Sequence, residues 1–141
     1  MKSIKKLLFV MAALAAVFGF VACSNDDDGG PSRVAVYEDK ATFNVDGYVV
    51  DYIQTLTFYN DNTFSWVNKM EYHNGPTEKM PYMDGEYTGD PSKDGTITMA
   101  ATEMYNGEGK KTGVTGGYER KVQIQITDGK FSYSNGKFTR K

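Results

Sequence analysis

Few side chains in this chain are equipped for chemistry. His73 is the only histidine, and it sits beside Asn74-Gly75-Pro76, a chain-breaking run with no serine or cysteine nucleophile motif around it. A general base needs a positioned partner, so His73 reads as a surface residue and no enzyme activity is expected. Met70, His73, Met80 and Met83 form a soft-ligand set, and thioether with imidazole suits monovalent copper. Methionine is equally an ordinary filler of β cores, and neither a metal nor a cofactor is expected. Asp90 and Asp94 flank Pro91-Ser92-Lys93. Lys93 between them repels a cation, and the ligand repeat of a calcium loop is missing, so turn chemistry accounts for both. Glycines 107, 109 and 113 do not join a strand to a helix, which rules out a phosphate cradle.

Tyrosine is the unusual component, with ten in 141 residues. It combines an apolar ring with a hydrogen-bonding tip. Tyr72, Tyr82, Tyr105 and Tyr118 fall near expected strand ends and the glycine-rich loop, where they are placed to rim a mouth for a small apolar or glycan ligand. The plainer alternative is that they are strand residues, favoured there by β propensity.

The elements that would position these residues are strands. In the second half of Gln54–Tyr72, Phe64, Trp66, Asn68, Met70 and Tyr72 alternate with Ser65, Val67, Lys69 and Glu71, the period of a half-buried strand. Leu56 and Phe58 share a face before it, and Asn60-Asp61-Asn62 makes the turn between the two. Arg33–Tyr37 reads as a strand, Glu38-Asp39-Lys40 as a turn, and Ala41–Val45 as a second run closed by Asp46-Gly47. Tyr48–Ile53 is a strand or an arm. His73–Met83 and Asn106–Gly117 read as long connections. Val122, Ile124 and Ile126 alternate with glutamines, and Asp128-Gly129 and Asn135-Gly136 are hairpin signals. The expected inward set is Phe58, Phe64, Trp66, Tyr87, Ile97, Met99, Ile124, Ile126, Phe131 and Phe138. No amphipathic helical period occurs after the N-terminal segment. The fold class is therefore all-β, a small antiparallel meander of about eight strands forming a barrel or a curled half-barrel.

The N-terminal segment follows a different logic. Lys2, Lys5 and Lys6 precede the apolar run Leu7–Val21 and then Ala22-Cys23. A basic start, an apolar stretch and a small residue read as a secretory signal, and about 15 apolar residues are short for a spanning helix, which needs roughly 20. Residues 1–22 are thus expected to be a signal helix that is removed, 23–32 an acidic and glycine-rich linker, and 33–141 the β domain. The chain carries 16 basic and 18 acidic residues. Loss of the three lysines makes it more acidic, which excludes a nucleic-acid footprint.

Phe20-Val21-Ala22-Cys23 resembles the lipobox of bacterial lipoproteins, and Ser24-Asn25-Asp26-Asp27-Asp28-Gly29-Gly30 resembles the acidic export signal of surface lipoproteins of the Bacteroidetes. The resemblance implies lipidation at Cys23, a membrane anchored through it, and an outer-membrane, cell-surface location. The segments LTFYNDNTFSW (56–66), GEYTGDPSKDGTITM (85–99) and VQIQITDGKFSYSNGKFTRK (122–141) resemble lipocalin-like (calycin) domains of such lipoproteins. That implies a β-barrel binding module for a small ligand. The alternative is a structural subunit docking on another envelope protein through a sheet edge or face.

Overall fold

Eight antiparallel strands follow one another around a nearly closed barrel: β1 (Arg33–Val45), β2 (Tyr48–Tyr59), β3 (Thr63–Tyr72), β4 (Thr77–Thr88), β5 (Gly95–Met104), β6 (Arg120–Ile126), β7 (Lys130–Tyr133) and β8 (Gly136–Arg140). The computed structural model describes residues 30–113 and 120–141. The signal region 1–22, Cys23, most of the linker and Tyr118 lie outside the described residues. Each strand from β1 to β5 pairs with the next, β7 pairs with β8, and β8 returns to β1 through Tyr37↔Arg140 and Glu38↔Thr139. Beyond the bridge Thr127↔Lys130 at their shared turn, β6 and β7 do not pair. Curling the sheet this far reduces its exposed edges, which matters in a small β domain.

Turn chemistry sets the meander. Asp46-Gly47 and Asp128-Gly129 both carry positive φ at two successive residues, the backbone twist that joins antiparallel strands through two residues. Asn62 is left-handed at φ 64°, and Asp61 accepts hydrogen bonds from the Thr63 amide and hydroxyl. The Asn135-Gly136 expectation is off by one residue. The turn is Ser134-Asn135, with Ser134 at φ 54°, and Gly136 opens β8 opposite Tyr133. A Cβ there would lie 2.8 Å from the Phe138 ring and 3.2 Å from Gln54 Nε2, so the site requires glycine for close approach rather than for turning.

Two further expectations are corrected. Glu38-Asp39-Lys40 does not turn; β1 runs straight through it, opposite Thr55, Gln54 and Ile53. Cross-strand partners absorb the charges, since Gln54 Nε2 donates to Asp39 at 3.3 Å and Lys40 Nζ lies 2.8 Å from Asp51. His73–Met83 is not a long connection either, because β4 begins at Thr77. Tyr48–Ile53, left open between strand and arm, is the first half of β2.

All ten expected inward residues lie in one core cluster, joined by Ala35, Tyr37, Leu56, Met83 and Ala101. Phe58 meets Tyr87 edge-on at 4.9 Å, and Phe131 stacks on Phe138 at 4.7 Å. Each such side chain contributes roughly 1.5–3 kcal/mol by leaving water. This cluster fills the barrel toward the end bearing the 60–62, 89–94 and 128–129 turns. That end is also tied by polar bonds. Tyr37, fully buried, donates its hydroxyl to the Pro91 carbonyl at 2.6 Å and accepts from Arg140 Nε at 2.9 Å. The Arg140 guanidinium lies 5.5 Å from the Tyr37 ring centre. Asp94 accepts from the Asp128 and Gly129 amides, so the 90–95 turn is held across the barrel end. Burial pushes the Tyr37 hydroxyl above its usual pKa.

Candidate functional site: the open end of the barrel

At the opposite end the aromatic packing stops at Trp66. The Trp66 ring, 3% exposed, is surrounded edge-on by Tyr82 at 5.2 Å, Phe138 at 5.3 Å and Tyr133 at 5.5 Å. Tyr82 reaches this position through a β-bulge. Trp66 pairs with Met83 and Val67 with Pro81, which leaves Tyr82 as the extra residue of β4. Pro81 has no amide to donate, and bulges are one of the few sheet positions that accept proline. The bulge turns two successive residues of β4 to use, with Met83 in the core and Tyr82 against the tryptophan.

Above Trp66 the barrel is hollow. A cavity of about 340 Å³ is lined by Asp39, Ala41 and Phe43 of β1, Tyr52 and Gln54 of β2, Trp66 and Asn68 of β3, Tyr82, and the 133–136 hairpin. These residues face inward by alternation: 39, 41 and 43 continue the face of Tyr37, and 52 and 54 continue that of Leu56 and Phe58. The volume is at the small end of the about 300–1,000 Å³ typical of small-molecule sites.

Two polar atoms in this lining have no partner. Trp66 Nε1 and Asn68 Oδ1 are both buried and make no hydrogen bond. One is a donor and the other an acceptor, and they stand two residues apart on one face of β3. Buried polar groups in folded proteins are nearly always paired, so an orphan donor and an orphan acceptor at one hollow are a feature to be explained. Tyr52 is pushed above the usual phenol pKa by burial first, then by Tyr82 and Asp39. The neutral hydroxyl is therefore its form over the physiological range, a donor or an acceptor at the cavity wall.

The four tyrosines singled out in the sequence are dispersed. Tyr82 lines the cavity. Tyr72 borders a separate groove of about 720 Å³ between the tips of the β1–β2 and β3–β4 hairpins, with Asp51, Glu71 and His73. Tyr105 donates to Asp84 at 2.7 Å. Asp84 opposes Ser65, on the outer face between the inward Phe64 and Trp66, and burial and this carboxylate raise the Tyr105 pKa strongly. Tyr118 lies outside the described residues. Sequence reasoning missed Trp66 and Asn68 as site residues, although their alternation already put them on one face. The missing signal was where packing stops along that face, which only the strand register supplies.

The larger groove is chemically quieter than the cavity. Asp51 is its buried carboxylate, and it is already satisfied: Lys40 Nζ lies at 2.8 Å, Thr42 donates at 2.6 Å, and His73 Nε2 stands at 3.2 Å. The Lys40 ammonium bonded to it, with the Thr42 hydroxyl, holds Asp51 well below the usual carboxylate range. This arrangement ties the hairpin tips together and engages His73 through its Nε2. Of the soft-ligand set, Met83 is in the core while His73 serves Asp51. Among the described residues no group of three or more histidine, cysteine or acidic side chains is arranged for a metal. Asp90 is engaged by Ser92 and Lys93, and Asp94 by the 128–129 amides.

An eight-stranded antiparallel barrel in simple up-and-down order, packed at one end and hollow at the other, is consistent with a lipocalin-like (calycin) fold. No protein-family model, no curated protein and no solved structure matches the chain.

Proposed function

We propose that this domain is a binding module that takes a small ligand into the open end of its barrel, and that it is not an enzyme. One observation carries the reading. The hollow above Trp66 holds a buried donor, Trp66 Nε1, and a buried acceptor, Asn68 Oδ1, that nothing in the protein satisfies. Leaving such groups unpaired costs about 1–3 kcal/mol each. A ligand that draws both atoms into hydrogen bonds recovers that cost, which supports reading the cavity as a site. The N-terminal pattern supports display of the module from a lipid anchor at Cys23 on the outer-membrane surface.

Native mass spectrometry of protein purified from its source tests the ligand. A bound species of a few hundred daltons, lost in a Trp66→Phe/Asn68→Leu double variant that still folds, supports the reading. Ligand-free protein that also fails to shift its melting temperature with any member of a small-molecule library contradicts it. For the anchor, cells fed a labelled fatty acid should label this protein, and Cys23→Ala should abolish the label. A label that persists in the variant would contradict lipidation at Cys23.

A second reading has its own observation. Phe43, Val45, Tyr48 and Val49 are exposed at the β1–β2 tip, and β1 has no strand partner on its β8 side beyond Glu38↔Thr139. An apolar tip with a free strand edge suits docking on another envelope protein. Cross-linking from position 45 in whole cells separates the two: a single discrete protein adduct favours docking.

A further inference from the structure

We infer that the cavity takes its ligand polar end first, and that the ligand is a small uncharged amphiphile with a hydroxyl-bearing head, such as a sugar ring, and an apolar tail. This rests on the cavity being the binding site and names what the site accepts. Polarity is ordered along the depth of the site. By strand register Trp66 lies deepest, level with Leu56, then Asn68 with Gln54 and Asp39, then Tyr52 with Ala41, and Phe43, 52% exposed, stands at the rim. Val45 follows Phe43 on the same face of β1 and is 54% exposed. Of the large hydrophobic side chains exposed among the described residues, all but Val34 belong to this β1–β2 tip.

The deep pair selects by hydrogen-bonding type. Both atoms are closed to a water-sized contact in the free protein, so a shift of the Asn68 amide and the indole opens them, and a sugar head then offers hydroxyls that accept from Trp66 Nε1–H and donate to Asn68 Oδ1. A carboxylate has no proton for Asn68, and Asp39 in the same lining, whose charge the uncharged Gln54 amide at 3.3 Å leaves in place, repels it. An ammonium can pair with Asp39 and donate to Asn68 Oδ1, but it has no lone pair for Trp66 Nε1–H, which stays orphaned. A purely apolar ligand leaves both groups orphaned. The aromatic wall supplies flat apolar contact for a sugar ring, and the Phe43–Val45 rim covers a tail that the small cavity leaves outside.

The test uses residues 23–141 carrying Cys23→Ala, the chain that the signal reading leaves after cleavage, so that neither the signal nor an acyl chain competes. Hexyl β-glucoside, glucose, hexanoate and hexylammonium are titrated at pH 7 below their aggregation limits, by calorimetry and by fluorescence of Trp66, the only tryptophan. Hexyl glucoside should bind at least about ten-fold more tightly than the other three. Asn68→Leu should weaken it about ten-fold or more, the scale of one lost buried hydrogen bond. Phe43→Ser should weaken hexyl glucoside by more than it weakens glucose, and Asp39→Asn should improve hexanoate relative to hexyl glucoside, since the Asp39 carboxylate in the lining repels an anion. Tighter binding of hexanoate or hexylammonium overturns the head assignment while sparing the cavity as a site. Equal affinity for glucose and its hexyl glycoside overturns the tail. If none of the four binds, the inference falls, and native mass spectrometry then decides whether the cavity reading falls with it.

Discussion

Replacing Asn68 by leucine should make the free protein more stable and the liganded protein less so. Asn68 Oδ1 is buried with no partner, a situation that costs about 1–3 kcal/mol. Leucine has nearly the same size, carries no acceptor, and adds apolar surface beside Trp66 and Tyr52. Because Asn68 is only half-buried, the lower part of that range applies, a gain of about 1–2 kcal/mol. In a domain of this length that corresponds to a melting temperature higher by about 4–8 °C. Urea unfolding followed by Trp66 fluorescence reads it directly, and the slope with denaturant should not change. Saturating ligand reverses the order. At one hundred times its Kd a ligand stabilises the parent by about 2.7 kcal/mol, and the variant loses most of that. If Asn68→Leu destabilises the free protein by 1 kcal/mol or more (about the value of one net hydrogen bond), Oδ1 has a partner and the reasoning about the orphan pair fails.

Three other outcomes follow from the packed end and the paired carboxylates. Tyr37→Phe leaves the Pro91 carbonyl and Arg140 Nε without their partner and should cost about 1–3 kcal/mol, measured by denaturant unfolding; a change under about 0.5 kcal/mol would mean the barrel end is not held by this hydroxyl. Gly85→Ala places a Cβ 2.1 Å from the Ala100 carbonyl oxygen and 2.8 Å from the Phe64 ring, so it should give no folded protein, and a native circular dichroism spectrum would contradict the β4–β5 approach. The carboxyls of Asp51, Asp90 and Asp94 are held below their ordinary range by Lys40, by Ser92 and by the Gly129 amide respectively, Asp90 at about 2. Their folded pKa values lie below the unfolded ones, so the unfolded chain takes up protons first. Stability is then full above about pH 5 and falls as the pH drops toward 2. Asp51→Asn should flatten that acid limb, and an unchanged limb would refute the assignment.

The barrel was legible because side-chain alternation and turn residues agree along most of the chain. Phe64-x-Trp66, Ile97-x-Met99 and Ile124-x-Ile126 each state an inward face, and Asp46-Gly47 and Asp128-Gly129 state where strands reverse. What was not legible depended on pairing across strands. Glu38-Asp39-Lys40 looks like a turn until Gln54 and Asp51 are seen to meet its charges. Thr77–Met83 looks like a loop because Pro81 interrupts it, yet the bulge at Tyr82 accommodates the proline in a strand. The site was hidden for the same reason. Phe64, Trp66 and Asn68 share a face, but only the neighbours from β1, β2 and β8 show that packing is complete at Phe64 and ends above Trp66. Tyrosine count pointed toward a mouth without saying which rings reach it: Tyr82 lines the cavity, while Tyr105 turns outward to Asp84.

The most direct test of a ligand site above Trp66 is the indole N–H resonance in a ¹H–¹⁵N correlation spectrum, because one tryptophan gives one such peak. In the free protein the proton should lack the downfield position of a hydrogen-bonded indole. Adding hexyl β-glucoside, or the species found by native mass spectrometry, should move it downfield in a saturable way, with the same midpoint as the calorimetric titration. An indole peak that stays in place while calorimetry reports binding would locate the ligand elsewhere and contradict the account.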